Sequence, residues 1–160
     1  MARSLTVTWQ DPMHLAQHAR TLPGLEFLGR IRDGTLPQAP IQELLGMKLV
    51  EVEPGRAVWE AVPGEQHYHP AGAVHAGLAA TLLDSAMACA VHSTLPAGKG
   101  YTTLEFKVNL VRFVTVDTGL LRASGRVVHS GKSTATAEAR LEDASGKLYA
   151  HASTTCIILG

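Results

Sequence analysis

Hydrophobic positions along the 160-residue chain change their spacing twice. Up to residue 45 they fall at helical intervals in MHLAQHARTL (13–22), LEFLGRIRDG (25–34) and APIQELLG (39–46), separated by Pro23, Pro37 and Pro40. Three short helices are expected there, the last closed by Gly46, lying over the rest of the chain as a lid or brace. From Met47 apolar and polar positions mostly alternate, which is the period of a strand with one buried face. MKLVEVE, a turn at Pro54 and Gly55, and RAVWEAV predict a hairpin, with Ala57, Trp59 and Ala61 on one face and Val58, Glu60 and Val62 on the other. Alternation resumes over 101–113, 120–129, 133–142 and 148–158, broken by Asp117-Thr118-Gly119, Ser130-Gly131-Lys132 and Ala144-Ser145-Gly146. In the first of these strands Leu104, Phe106, Val108 and Leu110 fall opposite Thr103, Glu105, Lys107 and Asn109. In the third, Ala135, Ala137, Ala139 and Leu141 make an inward set of mostly small residues, which lets a helix come close to the sheet.

Between the hairpin and these strands the period changes again. His67–His92 reads HYHPAGAVHAGLAATLLDSAMACAVH, a turn-forming HPAG followed by a helix that is apolar nearly all round. Such a helix belongs inside a molecule and should be wrapped by other elements. The order is hairpin, one long buried helix, then an antiparallel four-strand meander. This predicts an α+β fold in which an antiparallel sheet wraps one central helix. Residues 1–45 form an N-terminal helical extension and residues 46–160 the domain proper.

That helix carries a single acid, Asp84, among Leu78, Leu82, Leu83, Ala86 and Met87. Burying an unpaired carboxylate costs several kcal/mol, so it must be hydrogen-bonded, kept neutral, or placed beside a cleft. Eight residues upstream, Ala76 and Gly77 form the first helical turn, where unpaired backbone N–H groups and the positive end of the dipole face outward. Donors of this kind can hold an oxyanion. Eight residues rise about 12 Å along a helix, too far for both groups to touch one atom. Either the acid works through water, or a second chain brings its own helix tip alongside, and the second option makes an obligate dimer with shared sites.

Composition narrows the function classes without adding a site. Fourteen basic residues balance fourteen acidic ones, so neither nucleic acid nor an anionic membrane is indicated as a partner. The cysteines, Cys89 and Cys156, form no framework or CxxC pair and read as reduced core residues. The opening residues MARSLTVTWQDP hold no apolar leader core, and no run approaches the roughly 18 to 20 apolar residues of a membrane span, so a cytoplasmic protein is expected. His67, His69, His75 and His92 lack zinc-site spacing, and no metal is expected. Ser130-Gly131-Lys132-Ser133 resembles the tail of a P-loop, but Arg126 stands where that motif has its first glycine.

HPAGAVHAGLAATLLDSA (69–86) resembles the Asn-Pro-x-Gly-x-x-His-Gly-Gly motif and acid-bearing helix of the phenylacetate-pathway (PaaI-like) acyl-CoA thioesterases, within the 4-hydroxybenzoyl-CoA thioesterase superfamily. PIQELLGMKLVEVEPGRAVWE and TTLEFKVNLVR are similar to the same family, so the likeness spans residues 35–157. The resemblance implies a hot-dog fold, an acyl-CoA substrate with no resident cofactor, and homodimers, or dimers of dimers, with shared active sites. It places Ala76 N–H, with Gly77 beside it, on the thioester carbonyl, and makes Asp84 of the other chain the base or nucleophile. Thr102 or Thr103 then offers a hydroxyl across the interface next to Asp84. Two positions differ from the family: His69 stands for Asn or Gln, and Ala76 for Gly. His69 can donate as an amide does, position water, or act as a base. Arg112, Arg126, Gly131 and Lys132 are candidates for the phosphates of coenzyme A, and His75, Leu78 and Leu82 for the cleft that takes the acyl group. The alternative function is a non-catalytic acyl-CoA-binding or sensing protein on the same fold. A hot-dog dehydratase would need an Asp and a His together at the head of the helix, where only His75 stands.

Overall fold

The computed structural model describes residues 1–160. Helix α1 (Pro12–Thr21) begins where the Asp11 carboxylate accepts from the Met13 N–H at 2.9 Å, with Pro12 in the first turn, where its missing N–H costs nothing. α2 (Gly24–Arg32) and α3 (Pro40–Leu45) follow, and Gly46 ends α3 in the left-handed region at φ 62°, where a Cβ would be strained. The hairpin is β1 (Met47–Glu53) and β2 (Arg56–Ala61). Then come α4 (Ala76–His92), β3 (Gly100–Leu110), β4 (Leu121–Ser130), β5 (Thr134–Asp143) and β6 (Leu148–Leu159). No helix is long and apolar enough to cross a membrane.

The strands form one antiparallel six-stranded sheet in the order β1-β2-β4-β5-β6-β3, curled round α4 in the hot-dog arrangement. The expected four-strand meander is therefore wrong in one respect. β4, β5 and β6 are joined by tight turns and must be neighbours, but β3 lies at the far edge against β6, and β4 takes the place beside β2. Alternation along a strand sets which face is buried; it does not set which strand lies alongside after a long crossover.

The core lies between the sheet and α4. Leu82, Leu83, Ala86, Met87, Ala90 and Val91 are fully buried, facing the small inward row Ala135, Ala137 and Ala139 of β5. On β4 the helix comes closer still: a Cβ on Gly125 would lie 2.3 Å from the Ala86 carbonyl oxygen, so only glycine permits this approach. Leu15, Phe27, Leu28 and Leu36 join the same core, with the Phe27 ring 5.4 Å from that of His92 and Gly24 N–H donating to Leu95 O at 3.0 Å. α2 thus braces the end of α4 remote from Ala76, while Leu45 at the end of α3 lies by the other end of the helix, beside His75, Gly77 and Thr81.

Two local findings alter the sequence picture. A β-bulge at Leu104 separates the pairs Thr103↔Cys156 and Glu105↔Thr155. Cys156, Thr154 and Ala152 are buried on the helix side of β6, so their partners Thr103, Phe106 and Val108 share that side. Leu104 is left 58% exposed, and Thr103 does not sit opposite Phe106 as plain alternation predicts. In addition, α4 is not wrapped all round: Ala76, Gly77, Ala80, Thr81, Asp84 and Ser85 form a stripe open to solvent wholly or in part.

Candidate active site

The tip of α4 is built by three histidines that act on the backbone. His75, at φ −62° and ψ 137°, is the N-cap, and its Nδ1 accepts from Gly77 N–H at 2.8 Å. Leu78 N–H reaches the His75 carbonyl at 3.1 Å. Ala76 N–H bonds to nothing within the chain, and no residue other than glycine has a positive φ, so Ala76 is an ordinary right-handed helical residue with its donor free. Of the two expected tip donors Ala76 is available, whereas Gly77 is already bound by the cap.

The preceding loop is tied in the same way. His69 Nδ1 accepts from Ala71 N–H at 3.1 Å, while its own backbone closes the turn through Ala73 O at 2.8 Å and Gly72 N–H at 3.0 Å. His67 Nδ1 accepts from Gly64 N–H at 3.0 Å, and His75 N–H donates to His67 O at 2.8 Å. A neutral imidazole has one nitrogen lone pair, and here each is taken by a backbone N–H, so none of these rings offers a lone pair to a metal. Burial lowers the His67 pKa, which favours the neutral ring.

Beside the tip lies a cavity of about 280 Å³. His69, His75, Ala76 and Arg112 supply its polar lining, and Val74, Leu78, Leu110, Val111, Phe113 and Val114 most of the rest. Leu78 is thus placed as expected for an acyl cleft. Leu82 is not: it is fully buried in the core and absent from the cavity wall. The apolar wall on either side of Arg112, made by Val111, Phe113 and Val114 in the run after β3, is not among the residues that the sequence singles out. In the sequence this apolar cluster only continues the pattern of the preceding strand, and Phe113 is 87% exposed.

Asp84 lies further along the open stripe and is half-buried. Thr103 Oγ1 donates to its Oδ1 at 3.1 Å. Burial raises the Asp84 pKa, and the Thr103 hydrogen bond offsets part of that. The hydroxyl comes from the same chain, not across an interface, and the bulge at Leu104 is what brings it there. Thr102 is exposed and pairs with Ile157, one residue out of phase with Thr103, so it does not join this group.

The candidate coenzyme A residues are not brought together within the chain. Arg112 lines the cavity and its guanidinium donates to Leu148 O. Arg126 is on the outer face of β4, ion-paired with Glu138. Gly131 and Lys132 sit in the β4–β5 turn, and Gly131 N–H, expected to be open to a phosphate, is taken by Thr134 O at 2.8 Å. Leu121 borders the cavity at one end of β4, and that turn lies beyond the other end, roughly 30 Å away for ten residues of strand.

Comparison with known proteins gives a consistent result. The family model described as the thioesterase superfamily matches residues 71–150. A 1,4-dihydroxy-2-naphthoyl-CoA hydrolase of Listeria monocytogenes is 29% identical over 108 residues, covering 68% of this chain and 86% of that protein. A solved structure from Ralstonia eutropha, described as a putative thioesterase and phenylacetic acid degradation-related protein, is 27% identical, covers 81% of this chain and 98% of its own, and superposes with a TM-score of 0.73. The Escherichia coli PaaI protein from the phenylacetic acid degradation operon shares the fold at 20% identity and a TM-score of 0.74, covering 83% of this chain and 94% of its own.

Proposed function

The chain belongs to the thioesterase superfamily, and from that premise we propose that it hydrolyses an acyl-CoA thioester to the free acid and coenzyme A. The observation that carries this reading is a half-buried carboxylate, Asp84, held by Thr103 on the same open helix stripe as the unpaired Ala76 N–H. The thioester oxygen docks on Ala76 N–H, which together with the helix dipole stabilises the charge that develops as the carbonyl becomes tetrahedral. Asp84 either takes a proton from an attacking water or attacks the carbonyl carbon itself, forming an anhydride that water then cleaves. In both routes the C–S bond breaks and the thiolate leaves as coenzyme A. The scheme calls for no metal or resident cofactor.

The rise of about 12 Å between residues 76 and 84 keeps the two groups of one helix apart, so the active unit is a homodimer in which each site takes its helix tip from one chain and its acid from the other. Exposed apolar residues on the edge strand β3, Phe106 and Leu110 among them, support that assembly. The acyl group occupies the cavity. Its volume of about 280 Å³ is close to twice the roughly 150 Å³ that takes one benzene ring, so a one- or two-ring aryl acyl group fits, in keeping with the naphthoyl-CoA hydrolase named above. Arg112 at the cavity wall is the cation best placed for the coenzyme A portion.

Mixing two inactive variants tests the shared site. Asp84→Asn removes the acid, and Ala76→Pro removes the N–H while leaving a residue that helices accept at their first position. Each alone is expected to release little thiol from benzoyl-CoA. Exchanging subunits between them should regenerate about a quarter of wild-type turnover, because half the dimers then hold one intact site. No recovery in a mixture shown to exchange subunits would refute sharing. Tight binding of a non-hydrolysable coenzyme A thioether by a wild type with no turnover would instead favour the binding or sensing role that His69 suggests.

A further inference from the structure

We infer that His14 and His18 on helix α1 form a two-imidazole site for a late first-row divalent ion, Cu²⁺ most tightly and Zn²⁺ or Ni²⁺ less so, and that the ion ties successive turns of that helix together. The inference goes beyond the thioesterase reading and does not depend on it.

The eight histidines of the chain are not alike. His67, His69 and His75 each give the Nδ1 lone pair to a backbone N–H, and His92 is buried between the rings of Phe27 and Tyr101. His129 and His151 stand singly on β4 and β6. That leaves His14 and His18, four residues apart in one helix and so on one face of it, about 6 Å apart along its axis. Their ring centroids are 4.7 Å apart, with planes inclined at 70°.

That separation is the one a shared ion would impose. Metal–nitrogen bonds are about 2.0–2.1 Å, and the ring centre lies roughly 1.1 Å beyond the nitrogen. Two imidazoles at about 90° to 109° on a four-coordinate ion therefore have centres roughly 4.5–5.2 Å apart. The tautomer of His18 is set as well. Its Nδ1 lies 3.0 Å from the His14 carbonyl oxygen, which can only accept, so in the neutral ring the hydrogen is on Nδ1 and Nε2 keeps its lone pair. Ligating histidines are oriented in this way, with the second ring nitrogen donating to a backbone carbonyl or a carboxylate. The His14 ring is exposed and free to turn about its side-chain bonds toward the same ion.

No third His, Cys, Asp or Glu stands with the pair, and the Asp11 carboxylate one turn earlier is taken by the Met13 N–H. Water therefore completes the coordination, which makes this an open, exchangeable site and not a closed structural centre. Two nitrogen ligands follow the order in which Cu²⁺ exceeds Ni²⁺ and Zn²⁺. The helix is 10 residues long and buries only Leu15. A helix of that length is marginal by itself, so a link between its turns adds order where packing supplies little.

The test titrates the whole protein, freed of metal with EDTA, with Cu²⁺ alone and with Zn²⁺ alone in a calorimeter. One ion should bind per chain, Cu²⁺ the more tightly. His14→Ala and His18→Ala should each weaken Cu²⁺ binding by about 10²-fold, since either ring alone loses the chelate, whereas His151→Ala, which removes an exposed single ring, should leave it unchanged. Both side chains of the pair lie at the surface, and far-ultraviolet circular dichroism of the variants should match wild type. Saturating Zn²⁺ should slow amide hydrogen exchange in residues 12–21 of wild type and not in either variant. Absence of binding, binding that survives both substitutions, or loss in one variant but not the other would overturn the pair as the site. Exchange in α1 that Zn²⁺ leaves unmoved would overturn the link between its turns.

Discussion

Asp84 is held by two opposing influences, and each can be changed separately. Burial raises its pKa and the Thr103 hydroxyl pulls it back down. In the unfolded chain the carboxyl returns to its ordinary range, so between that range and its raised native value the folded protein binds more protons than the unfolded one. The stability this contributes is present below the ordinary carboxylate range and is lost as pH rises through the native value. Asp84→Asn removes the charge and should raise the melting temperature at neutral pH while cutting thiol release by about 10³-fold or more; a lower melting temperature would show that the carboxylate is a structural requirement. Thr103→Val removes the hydrogen bond that favours the charged form, so the acid limb of the kcat profile should move to higher pH, and an unmoved limb would uncouple the two residues. The acid was legible in the sequence because it interrupts an apolar run. Which threonine serves it was not, since a bulge of one residue decides whether position 102 or 103 faces the helix.

Among the elements, α4 and β4 make the tightest approach in the fold. A Cβ added at Gly125 would meet Ala86 O at 2.3 Å, and backbone on both sides leaves nothing soft to give way. Gly125→Ala should therefore destabilise the protein by about 1–3 kcal/mol, seen as a lower denaturation midpoint with an unchanged slope. A neutral outcome would mean that α4 can shift without loss. At the N-terminal tip of α4 the cap is His75. Its place at a helix start could be read from HAGLAATLL, but its occupation of Gly77 N–H could not, because a histidine is not among the usual capping residues. The result is that the helix tip offers one free amide where sequence reasoning expected two.

At the scale of the whole molecule, the sheet has an exposed apolar edge. β3 carries Leu104, Phe106 and Leu110 at 58%, 40% and 53% exposure, with one side of its backbone unpaired, and the open stripe of α4 runs beside it. Soluble proteins rarely leave such a strand uncovered. Phe106→Lys should give a monomer in analytical ultracentrifugation and abolish thiol release together with the dimer; a fully active monomer would refute the shared site.

The sequence by itself determined the elements, the buried face of β5, the single long central helix, and the presence of an acid and a helix tip on it. All of these follow from residue type and local period, which act over a few residues. Tertiary structure alone decided that β3 crosses to the far edge, that Thr103 and not Thr102 reaches Asp84, that Leu82 is core and not cleft, and that Arg126, Gly131 and Lys132 lie away from the cavity. Those outcomes depend on strand pairing and crossover, which join residues far apart in the chain, and no local pattern of hydrophobic positions encodes which distant partner a backbone will find.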